Sequence, residues 1–205
     1  MKTYIISLKR AEDRRAFCKD KYKDFEFFDA IDGGETNHNL KPMKKGEVGC
    51  FLSHRKLWFN LLDSPTDDWV LVLEDDAKPI KDWKKHLEKV IETIPKQYGL
   101  VWLHSNKPDC FYRRFKNKWN GLFNEKIEDR VINDYCLDAG GRLNTTAYLI
   151  RPSMAKLLFY KLSVVIFPLD LQIHLPNIRH GLKFGASKKG IFYQTSELPS
   201  YIHRD

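Results

Sequence analysis

The sequence predicts a single α/β domain with a mixed, mostly parallel central sheet flanked by helices. Short apolar runs typical of buried strands alternate along the chain with segments of helical pattern. No internal repeat, low-complexity tract or linker divides the chain. A length of 205 residues with 42% hydrophobic residues is sufficient for one substantial core, so we expect one domain over residues 1–205.

The predicted elements alternate from the first residues onward. Apolar runs predict strands at 4–8, 25–28, 69–73, 100–103 and 146–150. Helical patterns predict helices at 11–21, 47–62, 83–94 and 152–162. We expect Asp82 to cap the third helix and Pro152 to open the fourth. The polar, irregular stretch 105–142 is predicted to be a variable loop region.

Composition narrows the range of partners. The formal net charge of +8 favours an anionic partner, such as a nucleotide, a phosphorylated glycan, nucleic acid or an acidic membrane surface. The four cysteines lack a CxxC pair, so we interpret them as reduced thiols, with Cys50 in the core. Because no segment has the length of a membrane span or a signal peptide, we expect a cytoplasmic protein, with peripheral contact at the inner membrane face.

The end of the third predicted strand carries the main candidate site. Its apolar run is followed directly by three acids, Glu74, Asp75 and Asp76. Open α/β sheets bind their ligands beyond the carboxyl ends of the strands. Adjacent carboxylates repel one another unless a bound cation or a cationic side chain lies among them. From these residues alone, a cation-binding site and a solvated acidic loop both remain open.

Five segments together resemble glycosyltransferase family 25, which includes lipooligosaccharide and procollagen galactosyltransferases. In chain order they are YIISLKRAEDRR from residue 4, FDAIDG at 28–33, GEVGCFLSHRKLW at 46–58, LVLEDDAKP at 71–79 and TTAYLIRPSMAKLL at 145–158. GEVGCFLSHRKLW followed by LVLEDD is the specific combination. The resemblance implies a GT-A type of nucleotide-sugar fold and a transferase that inverts the anomeric centre.

The resemblance also implies the substrates and the metal. A metal-dependent enzyme of this kind would move a hexose, such as galactose, from a UDP-sugar to a hydroxyl of a lipooligosaccharide or another anionic glycan. Mn²⁺ or Mg²⁺ suits carboxylate ligands and would stabilise the diphosphate leaving group. Asp76 is implied as a direct metal ligand. Glu74 would contact the metal, a metal-bound water or the ribose, and Asp75 would belong to the donor site.

Further donor-site residues are implied on the first two strands and the helix after them. They are Ser7, Arg10, Arg14, Asp29, Asp32, Gly49 and His54. A solvated helix face remains an alternative for Arg14, and a structural role remains one for His54. A late histidine is expected to complete the metal site, and His203 is preferred over His174 and His180.

An inverting transfer needs one general base that takes the proton from the acceptor hydroxyl. Asp170, after the apolar run that ends in Phe167 and Pro168, matches an acid that the family places after the AYLI segment. We prefer it over Asp138, which precedes a pair of glycines.

The variable region is expected to bind the acceptor. Its stretch of cationic and aromatic residues contains no acid and includes Arg113, Arg114, Lys116, Lys118 and Trp119. Such residues bind the phosphates of an anionic glycan, and they also stack on bases. A glycosyltransferase that acts on modified bases of DNA therefore stays open. A non-catalytic module that binds sugars or nucleic acid is a third alternative.

Overall fold

The computed structural model describes residues 1–37, 43–104, 129–139, 142 and 144–198. Ten strands lie within these residues. In chain order they are β1 (Thr3–Ser7), β2 (Glu26–Asp29), β3 (Val70–Glu74), β4 (Ala77–Pro79), β5 (Leu100–Trp102), β6 (Arg130–Val131), β7 (Cys136–Asp138), β8 (Ala147–Ile150), β9 (Phe184–Ser187) and β10 (Phe192–Gln194).

Eight of these strands form one twisted layer in the order β2-β1-β3-β8-β5-β9-β7-β6. Strands β7 and β8 run antiparallel to their neighbours, and the other six run in one common direction. Strands β4 and β10 pair separately as an antiparallel ribbon. The sheet is mixed and mostly parallel, so the predicted α/β class is confirmed.

Six helices accompany the strands in the described residues. They are α1 (Glu12–Lys21), α2 (Lys45–Asn60), α3 (Trp83–Thr93), α4 (Pro152–Lys161), α5 (Leu169–Gln172) and α6 (Pro176–Arg179), with a 3₁₀ turn at Gly33–Glu35. The four predicted helices are present. The predicted cap at Asp82 is wrong, because this residue has a left-handed backbone (φ 59°) and its side chain makes no capping hydrogen bond.

The prediction of a loop over 105–142 is wrong for its last part. Strands β6 and β7 extend the sheet there, and β7 pairs with β9. A tight turn joins the two strands, in which the Asn133 side chain accepts hydrogen bonds from the backbone N–H groups of Tyr135 (2.8 Å) and Cys136 (2.9 Å). Residues 105–128 lie outside the described residues.

The core has one apolar layer on each face of the sheet. Alternate residues of β3 point to opposite layers, with Val70 and Val72 in one and Leu71 and Leu73 in the other. Because all four side chains are buried, the register of β3 is fixed. The acids that come next in the chain therefore lie where the carboxyl ends of the strands meet. No helix within the described residues has the length and apolar character that a membrane crossing requires.

Candidate active site

A pocket opens beyond the carboxyl ends of β1 and β3, between α1, the 3₁₀ turn and the first half of α2. Its apolar lining residues include Ile6, Leu8 and Ile31. The acidic triplet, which begins at the last residue of β3, lines the same pocket, and Ile6 pairs with Glu74 in the sheet. This is the position at which open α/β sheets bind their ligands.

Two of the three acids are buried and bind Arg14. The Arg14 guanidinium donates to Asp75 Oδ1 at 2.5 Å and to Asp76 Oδ2 at 3.3 Å. Arg14 is itself buried, so a solvated helix face is excluded for it. The triplet is therefore not a solvated acidic loop, and a cationic side chain partly relieves the repulsion among its charges.

Asp76 offers the oxygen that is best placed for a metal ion. Its Oδ2 accepts a hydrogen bond from Gln194 Nε2 at 3.0 Å, whereas its buried Oδ1 has no hydrogen-bond partner among the described residues. Burial, and then the charge of Glu74, raises the pKa of the Asp76 carboxyl group to about 6. A buried carboxylate oxygen without a donor is costly unless a cation satisfies it. The donor set thus fits a hard divalent cation.

Glu74 is held in place by a chain of buried side chains. The Trp58 indole donates to the Tyr148 hydroxyl at 3.2 Å, and that hydroxyl lies 2.8 Å from His54 Nδ1. Nε2 of His54 lies 3.3 Å from Glu74 Oε1. Because an ionised Glu74 carboxylate can only accept, Nε2 of His54 carries the proton that it donates to Glu74, and in the neutral ring Nδ1 then accepts from the Tyr148 hydroxyl. His54 is thus both a buried structural residue and a wall of the pocket.

The ionised form of Glu74 is favoured despite its partial burial. Burial alone would raise its pKa, but the hydrogen bond from His54, the one from Thr145 (2.5 Å) and the nearby His104 ring together hold it below its ordinary value. The Glu74 carboxylate is therefore charged where it faces the pocket. Sequence analysis assigned a role neither to Thr145, the first residue of the segment TTAYLIRPSMAKLL, nor to His104.

Cys50 lines the pocket, so the expectation that it lies in the core is wrong. Its sulfur lies 3.8 Å from Glu74 Oε1, and it forms with His54 and Glu74 a group whose possible ligand atoms are within 4.8 Å of one another. Burial raises the pKa of the Cys50 thiol well above its ordinary value. A metal ion on this group would displace the His54 proton that binds Glu74, and the Tyr148 hydroxyl would lose its acceptor. The hydrogen bonds therefore favour a positioning role for His54.

Gly33 and Gly49 allow the turn and the helix to meet. A Cβ on Gly49 would lie 2.7 Å from the backbone nitrogen of Gly33, and one on Gly33 would lie 1.7 Å from the Lys45 carbonyl oxygen. The Ser53 hydroxyl joins the same two segments by donating to the Gly49 carbonyl (2.6 Å) and accepting from the Ile31 N–H (2.8 Å). Gly49 thus shapes the pocket by close backbone contact.

Asp170 lies beside the acidic triplet, and two consecutive residues bridge them. The backbone N–H of Asn144 donates to Asp170 Oδ2 at 2.9 Å, while the next residue, Thr145, donates to Glu74. Burial, opposed by the Asn144 hydrogen bond and assisted by the charge of Glu74, raises the pKa of the Asp170 carboxyl group. A carboxylate with a raised pKa beside, and not within, the triplet has the properties of a general base.

Asn144 also connects Asp170 to Asp76. Its side-chain amide donates to Gln194 Oε1 at 3.1 Å, and Gln194 donates in turn to Asp76. Its own Oδ1 accepts from the backbone N–H of Thr146 at 2.9 Å. Asn144 has a left-handed backbone (φ 86°), which is unusual for a residue other than glycine. Sequence analysis missed Asn144 and Gln194, which are 50 residues apart.

The structure does not bring all predicted site residues together. Asp138, in β7, is four strands away from β3 in the sheet order, which is about 19 Å, so it is not beside the acids. Asp29 does not line the pocket, because Arg15 (2.6 Å) and Lys9 (3.3 Å) bind its carboxylate. The predicted residues that do line it are Ser7, Arg14, Asp32, Gly49, His54, Glu74, Asp75 and Asp76.

The remaining predicted residues either lie outside the pocket lining or lie outside the described residues. Arg10 is outside the lining but binds Asp32 at the rim through Nε (2.7 Å) and Nη2 (2.6 Å). His174 is buried against the backbone of Arg142, away from the triplet. His203 lies outside the described residues, as do Arg113, Arg114, Lys116, Lys118 and Trp119.

Comparison with known proteins gives one family and several partial relatives. A family model described as glycosyltransferase family 25 (LPS biosynthesis protein) matches residues 1–173. A glycosyltransferase of Acanthamoeba polyphaga mimivirus is 32% identical over 117 residues, 49% of this chain and 36% of that protein. Procollagen galactosyltransferase 2 of Homo sapiens is 30% identical over 121 residues, 48% of this chain and 19% of that protein. The alignments thus span about a third and a fifth of these two relatives.

Solved structures also extend over most of the chain, and one of them was determined with ligands bound. It is a Drosophila β1,4-galactosyltransferase 7 variant in complex with manganese, UDP-Gal and xylobiose. It covers 94% of this chain, and this chain covers 69% of it, with 10% sequence identity and a TM-score of 0.42.

Proposed function

The chain belongs to glycosyltransferase family 25, and we propose that it transfers a hexose, galactose in the first instance, from a UDP-sugar to a hydroxyl of an anionic glycan. One observation carries the proposal: the buried acids after β3 and a separate carboxylate with a raised pKa, Asp170, lie on either side of Asn144 and Thr145. Metal ligation and proton abstraction need two such carboxylate sites with different environments.

The pocket supports a nucleotide on the β1 side and a diphosphate near the acids. The apolar residues Ile6, Leu8 and Ile31 offer a surface for a base, and Asp32 is available to ribose hydroxyls. The first turn of α2 borders the pocket at Gly46, and helix amino termini favour anions. Arg14, which lines the same pocket, adds a positive charge for the phosphates.

A divalent cation, Mn²⁺ or Mg²⁺, fits the oxygen donors of this pocket. Asp76 would hold it through Oδ1, with Glu74 in direct contact or through a water. The ion would supply Lewis-acid stabilisation of the charge that develops on the diphosphate. The neighbouring side chains keep both carboxylates in place, His54 and Thr145 for Glu74 and Gln194 for Asp76.

Asp170 takes the proton in this proposal. The acceptor oxygen forms its bond to the anomeric carbon while the bond from that carbon to the phosphate oxygen breaks, and UDP leaves. The acceptor proton moves to the Asp170 carboxylate, whose raised pKa suits it as a base. The backbone N–H groups of Asn144 and Leu171 donate to this carboxylate and hold it in position.

The acceptor is the least defined part of the proposal. The net charge of +8 and the cationic stretch at 113–118 support an anionic acceptor, such as a lipooligosaccharide. Replacing Arg113, Arg114, Lys116 and Lys118 by alanine should raise the KM for the acceptor and weaken its salt dependence, while hydrolysis of the donor stays unchanged. Unchanged acceptor kinetics would remove this stretch from the acceptor site.

Donor binding and turnover test the proposal together. We expect UDP-galactose with Mn²⁺ to raise the melting temperature and to be hydrolysed slowly without acceptor. Asp76→Asn should remove both effects, whereas Asp134→Asn, an exposed acid in the β6–β7 turn, should remove neither. Stabilisation by the donor without any turnover would identify a non-catalytic sugar-binding module. The absence of stabilisation by every nucleotide sugar would refute the proposal.

A further inference from the structure

We infer that the surface formed by the end of α2, the end of α4 and the loop at 163–168 seats the protein on an anionic phospholipid membrane. This surface is defined here as the loop surface. It is separate from the donor pocket, and the inference goes beyond the proposed transfer reaction. It combines exposed apolar side chains, backbone groups that are bonded within the protein, and cationic side chains.

Large apolar side chains are exposed on the loop surface. Phe59 is 56% exposed, Tyr160 62%, Val164 63% and Ile166 53%. The Phe159 ring joins two of them, because its centroid lies 5.4 Å from that of Phe59 and 5.3 Å from that of Tyr160. Val164 and Ile166 lie in the loop that follows the same helix, α4. Single exposed apolar residues are ordinary, but several on one helix end and the loop after it mark an interaction site.

The backbone of the loop is bonded within the protein by one buried side chain. Gln172 Nε2 donates to the Val164 carbonyl at 2.6 Å, and its Oε1 accepts from the N–H groups of Ile166 (2.9 Å) and Phe167 (3.0 Å). A loop usually meets its hydrogen-bonding needs with water. These three backbone groups do not need water, so they can enter an apolar medium at little cost, with Val164 and Ile166 outward.

Charge on the same elements favours an anionic surface. The segment from residue 156 to 169 contains two cations, Lys156 and Lys161, and no acid, and Lys156 is exposed on α4. On α2, Lys56 is exposed, and the Arg55 guanidinium lies 4.2 Å from the Phe159 ring centroid. Two acids border the loop surface, Asp63 just beyond the end of α2 and Asp170 just beyond the loop. Lysine and arginine beside exposed apolar groups are the composition that binds acidic lipid headgroups.

These observations favour a membrane over a protein partner. A bilayer offers a loop backbone no donors or acceptors, and three groups of this loop, the Val164 carbonyl and the N–H groups of Ile166 and Phe167, are already bonded within the protein. Asp170 follows the loop directly, on α5. An acceptor anchored in the same bilayer would consequently approach from the side of the proposed base.

Vesicle sedimentation of the full chain tests the inference. We expect binding to vesicles of phosphatidylcholine mixed with phosphatidylglycerol, weaker binding to phosphatidylcholine alone, and a loss of binding at high salt. Val164→Asn combined with Ile166→Asn should lower the partition coefficient roughly tenfold or more. Val131→Asn, a change at a 69% exposed valine on the edge strand β6, should leave it unchanged. Equal far-ultraviolet circular dichroism and melting temperature would establish that all variants fold.

A charge reversal provides a second variant that leaves the apolar residues intact. Lys156→Glu should weaken binding to the phosphatidylglycerol vesicles and leave the weaker binding to phosphatidylcholine unchanged. Hydrolysis of UDP-galactose in the absence of vesicles should be the same in every variant, so failure here is distinguishable from failure of the proposed reaction. No binding to either vesicle, or equal loss of binding in Val131→Asn, would overturn the inference. So would self-association that the double variant abolishes in the absence of vesicle binding.

Discussion

Replacing Asp76 by asparagine is expected to abolish metal-dependent transfer and also to stabilise the metal-free protein. Burial, and then the charge of Glu74, raises the pKa of the Asp76 carboxyl group from 3.8 to about 6. A carboxylate with a raised pKa is less favourable in the folded than in the unfolded state whenever it is ionised. An asparagine at this position carries no charge and avoids that penalty.

The size and sign of the effect follow from proton binding. Between pH 3.8 and about 6 the folded protein keeps the Asp76 proton while the unfolded chain releases it, so stability falls as the pH rises through this window. Above this window the whole penalty applies. The difference between 3.8 and about 6, at about 1.4 kcal/mol per pH unit, corresponds to about 3 kcal/mol. Below the window both states are protonated and the penalty disappears.

The local geometry accepts the amide. An asparagine oxygen in the position of Oδ2 can still accept from Gln194 and Arg14. The amide nitrogen would take the place of Oδ1, which has no hydrogen-bond partner in the described residues, so no bond is lost. Arg14 keeps its shorter bond to Asp75 at 2.5 Å. Because the buried amide N–H groups would find no acceptor there, the gain in stability should stay below the value calculated from the pKa.

Denaturant unfolding without metal is the direct assay. The Asn variant should exceed the parent by up to about 3 kcal/mol at about pH 8 and by almost nothing at about pH 3, and its Tm at the higher pH should rise by roughly 5–10 °C. Mn²⁺ should stabilise the parent and not the variant. Asp134→Asn is the control and should change nothing. A variant less stable than the parent at the higher pH would refute the pKa reasoning, and a variant stabilised by Mn²⁺ like the parent would refute the ligand assignment.

Three further substitutions test the residues around Asp76. Asp170→Asn should preserve UDP-sugar affinity and lower turnover roughly 10²- to 10⁴-fold, and a loss of donor affinity instead would assign Asp170 to the donor site. Asn144→Gly should keep the fold, because glycine accepts the left-handed backbone. Asn144→Ala should have a free energy of unfolding about 1–2 kcal/mol lower than that of the Gly variant. Equal stability of the two variants would refute backbone strain at this position. His54→Phe should lower Mn²⁺ affinity by removing the donor to Glu74, measured by calorimetry, and unchanged affinity would make His54 purely structural.

The sequence was sufficient for the parts of the fold that local pattern determines. Apolar runs such as 69–73 identify strands because both faces of the sheet are buried, and the acids after them were placed correctly at the sheet edge. The short strands β6 and β7 were not predicted, because two or three residues of mixed polarity show no detectable periodicity. Pairing with β9, a strand about 50 residues further on, makes Cys136–Asp138 extended.

The site likewise contains residues that a local motif identifies and residues that only the fold brings together. Glu74, Asp75 and Asp76 are adjacent in the chain and could be found from a motif. The choice between Asp138 and Asp170 depended on strand order, which puts β7 at the far side of the sheet. Asn144 and Gln194 could not be found, because their role arises only when two distant loops meet beside Asp76. For Arg14 the sequence left a donor-site role and a solvated helix face open, and its burial against the acids at the end of β3 excludes the second.

Arg14 has a further consequence for the charge of the pocket. The three acids and Arg14 together carry a net charge of −2 when all are ionised, the sum of −3 and +1. One divalent cation would neutralise that charge, and a monovalent ion would leave half of it. Arg14 binds Asp75 more closely than Asp76, so the remaining negative charge is concentrated on Glu74 and Asp76, beside the free Oδ1. The arginine thereby directs a cation to Asp76 and keeps Asp75 occupied. Arg14→Gln should accordingly bind Mn²⁺ no more weakly than the parent, because no metal ligand is lost, but should bind UDP less tightly, because a positive charge near the phosphates is removed. Calorimetric titration of the metal and then of the nucleotide separates the two, and a parallel loss of both affinities would contradict this division of roles.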